Sequence, residues 1–148
     1  MSDNDTPSGD AAPSMQDWNA KIIEEFRSNE GRVGGQFEGA PVLLLHTTGA
    51  RSSLMRVNPM MYLNLDDRIY VFASKAGADT SPDWFHNLVA TPRVTVELGT
   101  ETFEATAAVL AEPDRSRIYA VQAQRYPGFA EYEVKTTRVI PVVELSRS

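Results

Sequence analysis

The sequence predicts an α+β fold that is mainly β: six antiparallel strands in a small, partly open barrel, with one helix before it and further helices in its connections. Three observations predict it. Short β-rich runs recur from Val42 to the C-terminus, dipeptides suited to tight hairpins separate several of them, and helix-start signals fall between the runs. At 148 residues the chain can close one sheet around a core but cannot hold separate cofactor and substrate domains.

Residues 1–14 (MSDNDTPSGDAAPS) are polar and acidic, with no large apolar side chain except Met1. Burial cannot offset the entropy of ordering them, so they read as a disordered tail and residues 15–148 as a single domain. Ser14 and Asp17 form a capping pair ahead of Met15, Trp18, Ile22 and Phe26, whose spacing makes an amphipathic helix stopped by Asn29 and Gly31. Strands follow at 42–47, 56–63, 69–73, 94–98 and 102–109, with Asp66-Asp67 and Gly99-Thr100 as hairpin turns. Between the third and fourth strands, Ser81-Pro82-Asp83 supplies an N-cap hydroxyl, a proline at the first helical position and an acid in the first turn; this helix ends before Pro92. Pro113 opens a helix running through about Gln124, a second helical piece covers 128–135, and 139–145 reads as the closing strand, with Pro141 on an edge or at a strand start.

Composition removes several functions. The absence of cysteine excludes disulfides, thiolate nucleophiles and cysteine-based metal sites, and His46 and His86 alone do not make a metal centre. A net charge of -6 with a pI near 4.9 argues against a nucleic-acid partner. There is no apolar run of membrane-spanning length, and the N-terminus is acidic where a signal peptide is basic and then apolar. The expected setting is cytoplasmic. The stripe of the first helix packs on the barrel in the plainer reading, and its alternative use is weak peripheral contact with the inner face of the cell membrane.

The segment from Thr47 to Pro59 carries the chemistry. Arg51 and Arg56 flank a hairpin turn rich in hydroxyls (Thr47, Thr48, Ser52), and Lys75 and Ser74 follow a later strand end, a donor set suited to phosphate and carboxylate. The plainer reading is a polar hairpin whose arginines face water. Asn58-Pro59-Met60-Met61 offers an amide for a heterocycle edge beside a proline that fixes the backbone, or is simply a strand-edge bulge. Trp84 and Phe85 either wall a slot for a flat ring or belong to the core, and His86 is a helix-surface or cofactor-contacting residue in preference to a catalyst. Leu54, Met55, Met60 and Met61 together suggest an apolar mouth, or core filling.

Taken in order, the Thr47–Pro59 segment, Phe72-Ala73-Ser74-Lys75-Ala76-Gly77-Ala78, Pro82-Asp83-Trp84-Phe85-His86-Asn87-Leu88 and Arg125-Tyr126-Pro127 make the chain similar to the deazaflavin-dependent nitroreductase family of actinobacteria, from about Ile22 to Leu145. The resemblance implies a split β-barrel and the deazaflavin coenzyme F-420, an obligate hydride carrier. It implies coenzyme contacts at Ala50, Arg51 and Ser52; at Arg56, Val57, Asn58, Pro59, Met60 and Met61; at Phe72, Ala73, Ser74 and Lys75; and at Asp83, Trp84, Phe85, His86 and Asn87. It also implies a proton from a tyrosine near the C-terminal helices, where Tyr126 and Tyr132 are the candidates. Phe129 lines the same site, at a position where the nitroimidazole-reducing relative carries tyrosine. Phenylalanine donates no proton, so that relative's activity does not carry over by itself.

A second departure is Arg51-Ser52-Ser53-Leu54, where many relatives read Arg-Ser-Gly-Lys; one glycine and one cation are lost. The expected function is an oxidoreductase passing hydride from reduced F-420 to a quinone-like or nitroaromatic acceptor. The alternative is a non-catalytic binder or carrier of deazaflavin, FMN or haem. The oligomeric state is left open.

Overall fold

The computed structural model describes residues 15–34, 40–50 and 53–147, without the side chains of residues 15–18 and 76. The predicted tail, the Ser14 cap, the Met15 and Trp18 side chains, and Arg51 and Ser52 lie outside the described residues. The elements run α1 (Met15–Ser28), β1 (Val42–Thr48), β2 (Met55–Leu65), β3 (Arg68–Phe72), a single 3-10 turn (Lys75–Gly77), α2 (Asp83–Ala90), β4 (Arg93–Leu98), β5 (Glu101–Val109), α3 (Asp114–Arg125), α4 (Gly128–Lys135) and β6 (Val142–Arg147).

The strands form a closed antiparallel barrel in the order β1-β2-β3-β6-β5-β4. Closure comes from β1 meeting β4 over Leu44↔Glu97, Leu45↔Val96 and His46↔Thr95, a long-range pairing that hairpin signals do not announce, so the expected partial opening is corrected here. Asp66 and Asp67 both take positive φ (55° and 65°), the conformation of a two-residue hairpin whose twist matches its strands. Gly99 (φ 64°) does the same for the β4–β5 turn, and the position of a Cβ on Gly31 falls 2.7 Å from the Gly99 Cα, so only glycine lets the chain leaving α1 touch that hairpin.

The side-chain alternation of the strands sorts the apolar residues into an interior and two outer layers. Leu43, Leu45, Val71, Val96 and Val143 fill the barrel, whose end is stopped by Trp84 and Leu88 of α2. Val42 and Leu44, on the opposite face of β1, are covered by Ile22 and Phe26 of α1. This is why the β1 run is continuously apolar: both faces are buried. Tyr70, Phe72 and Val142 face outward beneath Ile118 and Tyr119 of α3 and Phe129 of α4. Phe26, 1% exposed, is the main anchor of α1, and its burial stabilises the docking by about 2–3 kcal/mol.

Two local expectations are corrected. The cap of α2 is Pro82, with extended backbone and no side-chain capping bond, while the Ser81 hydroxyl accepts from Arg138 Nη1 at 3.4 Å instead. The closing strand starts at Val142, because Val139 is 67% exposed and Pro141 lacks the N–H a ladder position needs; its carbonyl accepts from Ala73 just before the strand.

Candidate functional site

β2 outruns its neighbour. Its pairing with β3 ends at Tyr62↔Val71, whereas its pairing with β1 continues to Thr48↔Met55, so residues 55–61 have a strand on one side only. The Tyr62 N–H donates to the Pro41 carbonyl, and by antiparallel alternation the even-numbered residues of β2 bond to β1 while Val57, Pro59 and Met61 turn their backbone to the open side. Pro59 is therefore placed where its missing N–H breaks no ladder bond.

A cleft of about 880 Å³ borders this stretch of β2. Its floor is Met55, Arg56, Val57 and Asn58, one end is the β1–β2 turn at Gly49 and Ala50, one wall is α2 through Asp83, Trp84, His86 and Asn87, and the other wall is α1 through Asn19, Ala20 and Ile23. Of the predicted coenzyme contacts, the structure thus gathers Ala50, Arg56, Val57, Asn58, Asp83, Trp84, His86 and Asn87 around one space. Trp84 is buried in the barrel core and also lines the cleft. The α1 residues were missed; no sequence signal links this face of the helix to a hairpin turn about thirty residues later.

Inside the turn, the Asn87 carboxamide accepts from the Ala50 N–H (2.9 Å) and donates to Thr47 Oγ1 (3.2 Å). Thr47 is fully buried, so its hydroxyl is part of the scaffold and not a ligand donor. Thr48 Oγ1 points to Met55 Sδ at 3.8 Å. The turn closes on itself through Gly49 N–H to the Leu54 carbonyl and Ser53 N–H to the Gly49 carbonyl, with Ser53 at φ 61°. That left-handed conformation is the physical reason glycine suits this position in similar chains.

The other described residues among the predicted contacts sit outside the cleft lining. Met60 faces the barrel interior, Met61 packs against both outer layers, and Phe85 packs on the interior, so of the four residues read as an apolar mouth only Leu54 and Met55 are exposed, by 60% and 58%. Phe72 and Ala73 are buried at the end of β3, where the Ser74–Gly77 turn leaves the sheet at the limit of the β2–β3 ladder. Lys75 is exposed there at φ 47°, its Nζ 3.5 Å from Thr80 Oγ1. Arg138 holds this turn: Nη2 donates to the Ala73 and Ser74 carbonyls (both 3.0 Å) and Nε to the Ala78 carbonyl (2.8 Å), while Thr136 Oγ1 bonds Asp79 at 3.0 Å. No sequence signal points to Arg138, a lone basic residue before a strand.

Phe129 and Tyr132 stack edge-on at 5.2 Å within the layer formed by Phe72, Tyr119 and Phe129, and Tyr126 packs at its border. Tyr119 is pinned by its hydroxyl to the Phe129 carbonyl (2.6 Å), and burial raises its phenol well above the ordinary range. Tyr62, next to the open edge, is raised by burial and then by the neighbouring Tyr126 phenol. Tyr62, the first residue of β2 past the one-sided stretch, was not among the expected residues.

A family model described as F420H(2)-dependent quinone reductase matches residues 18–146, a span that takes in the barrel up to the penultimate residue of β6. The chain belongs to this family. A quinone reductase of the same description from Mycobacterium tuberculosis is 40% identical over 129 residues, covering 82% of this chain and 85% of the relative. Among solved structures, an F420-H2 dependent reductase is 34% identical with a TM-score of 0.66, covering 72% of this chain and 94% of the other. A domain-swapped dimer is 32% identical with a TM-score of 0.68, over 90% and 100% of the two chains. A haem storage protein from Vibrio cholerae, 17% identical with a TM-score of 0.55 over 88% and 90% of the two chains, shares the fold alone. Family membership gives F-420 as the coenzyme, and the residues present fit it: a one-sided strand edge for a flat ring, a cleft beside it for an extended substituent, and the Arg56 cation on its floor.

Proposed function

We propose that this quinone-reductase family member transfers hydride from reduced F-420 to a quinone, and that the coenzyme lies along residues 55–61 of β2 with its anionic tail in the cleft. The observation that carries the reading is the one-sided edge of β2 opening onto the Arg56-floored cleft in a chain of this family. Bound reduced coenzyme supplies the hydride, and a hydride with one proton converts a quinone to a hydroquinone.

The chain orients, shields and protonates. Arg56 attracts the anionic tail, with Arg51, Ser52, Ser74 and Lys75 as further tail contacts; Asn58 directs its amide at the ring edge beside Pro59; Trp84 closes the cleft against water. Tyr132 is assigned proton delivery to the acceptor, with Tyr126 in reserve, and Phe129 offers an apolar face in place of a donor. Exposed Leu54 and Met55 suit a lipophilic acceptor drawn from the inner face of the cell membrane by a cytoplasmic protein. Among the described residues no helix is long and apolar enough to cross a membrane. Nitroaromatic compounds are secondary acceptors in this reading.

The test is a fluorescence titration with oxidised F-420 followed by quinone-dependent oxidation of the reduced form. Arg56→Ala is expected to weaken coenzyme binding by about 1–2 kcal/mol, with the gap to wild type narrowing as salt rises. Tyr132→Phe is expected to lower turnover with the coenzyme affinity kept. Binding without turnover for any quinone would favour a carrier.

A further inference from the structure

We infer that Asn87 is a positioning residue for coenzyme binding: its carboxamide locks the β1–β2 turn onto α2 and so fixes the end of the cleft that meets the coenzyme. The inference rests on the coenzyme site proposed above. Asn87 is 7% exposed, so its amide has little access to water and must find partners within the protein. Both ends do. Oδ1 accepts from the Ala50 N–H and Nδ2 donates to the fully buried Thr47 hydroxyl, joining segments 37 and 40 residues away in sequence.

The turn is otherwise braced from within, by Gly49 with Leu54, by Ser53 with Gly49 and by Thr48 with Met55. Such a unit is stiff but needs an outside anchor to hold its place, and Asn87 sits on the wall that faces it. Gly49 and Ala50 form the cleft's end, so a shift of the turn moves that end and the chain leading to Arg56 together. The chemistry asks for a carboxamide. One acceptor serves the backbone N–H, one donor serves the hydroxyl, and the group stays neutral beside an anionic ligand. Aspartate preserves both bonds, because the threonine hydroxyl can reverse and donate to it, but places a negative charge in the cleft. Leucine preserves the volume and loses both bonds.

The experiment compares wild type, Asn87→Leu, Asn87→Asp, Thr47→Val and the Asn87→Leu/Thr47→Val double variant. The readouts are thermal unfolding, the Kd for oxidised F-420 across a salt series, and kcat and KM for a quinone at saturating coenzyme. Asn87→Leu is expected to raise the coenzyme Kd by about tenfold. Thr47→Val, which lines no part of the cleft, is expected to raise Kd by about threefold, with the double variant no worse than Asn87→Leu, because one tether is broken once. Asn87→Asp is expected to unfold near the wild-type temperature and to bind weakly at low salt, recovering as salt screens the added charge. Should Asn87→Leu not fold, Thr47→Val and Asn87→Asp decide. Wild-type Kd in folded Asn87→Leu and Thr47→Val, or additive losses in the double variant, would overturn the inference while leaving the coenzyme site standing. A wild-type protein that does not bind F-420 would overturn both.

Discussion

Arg27 of α1 grips Glu97 of β4 with two parallel hydrogen bonds, Nε to Oε1 at 3.0 Å and Nη2 to Oε2 at 2.6 Å, and His46 Nε2 lies 2.6 Å from the same Oε2. The pair ties the α1 wall of the cleft to the strand that closes the barrel. The Arg27 guanidinium, with a smaller contribution from His46, holds the Glu97 carboxyl below its ordinary value of 4.5. A lowered folded value means the stabilisation is complete above pH 4.5 and is lost as pH falls through that lowered value. Arg27 is half-exposed, which limits the pair to about 1 kcal/mol. Arg27→Met is therefore expected to unfold more easily at pH 7, with the difference from wild type shrinking below pH 4.5 in denaturant titrations run at several pH values.

Ser53 holds a left-handed backbone (φ 61°) at the tip of the β1–β2 turn. An L-residue with a Cβ is strained there, and glycine is not. Ser53→Gly removes that strain at some cost in unfolded-chain entropy, for an expected net gain of about 0.5–1 kcal/mol. Thermal unfolding checks the sign; a lower midpoint would mean the Ser53 side chain contributes more than its conformation costs.

The order of elements was legible because each is announced locally: the hairpin turns at Asp66-Asp67 and Gly99-Thr100 by their residues, α2 by Pro82-Asp83, and α1 by Ile22 and Phe26 at helical spacing. The site was legible where one segment carries it, as in Arg56–Asn58 and Trp84–Asn87, and family resemblance put those segments together. What sequence could not show is contact between distant segments. The β1–β4 pairing, the approach of Asn19 and Ile23 to the cleft, and the carbonyl-holding Arg138 all depend on three-dimensional closure. Thr47 was misread for the same reason: a hydroxyl in a polar turn looks available until Asn87 is found to occupy it.

Gln122 of α3 is fully buried, and neither its amide nitrogen nor its amide oxygen finds a partner among the described residues. An unpaired buried amide carries its full desolvation penalty, about 1–3 kcal/mol. Methionine has nearly the same shape and no such penalty, so Gln122→Met is expected to raise stability by about 1 kcal/mol. Urea unfolding midpoints of the two proteins settle it, and a destabilised variant would show that the amide is satisfied in solution by a group such as bound water.

Arg138 spends its guanidinium on the carbonyls of Ala73, Ser74 and Ala78, the backbone that carries Lys75 away from β3 and leads into α2. Removing the donors takes from the buried Ala73 carbonyl its guanidinium partner, while the Ser74 carbonyl keeps the Gly77 N–H at 2.9 Å. Arg138→Met is accordingly expected to cost about 2–3 kcal/mol of stability. Lysine reaches such carbonyls with a single point donor and lacks the planar fork, so Arg138→Lys is expected to recover less than half of that loss. Because Lys75 and the start of α2 both hang on this turn, coenzyme affinity should fall in parallel with stability in both variants. Denaturant unfolding and F-420 titration of the pair measure this, and an Arg138→Met protein with wild-type stability would mean that solvent replaces the guanidinium at no cost.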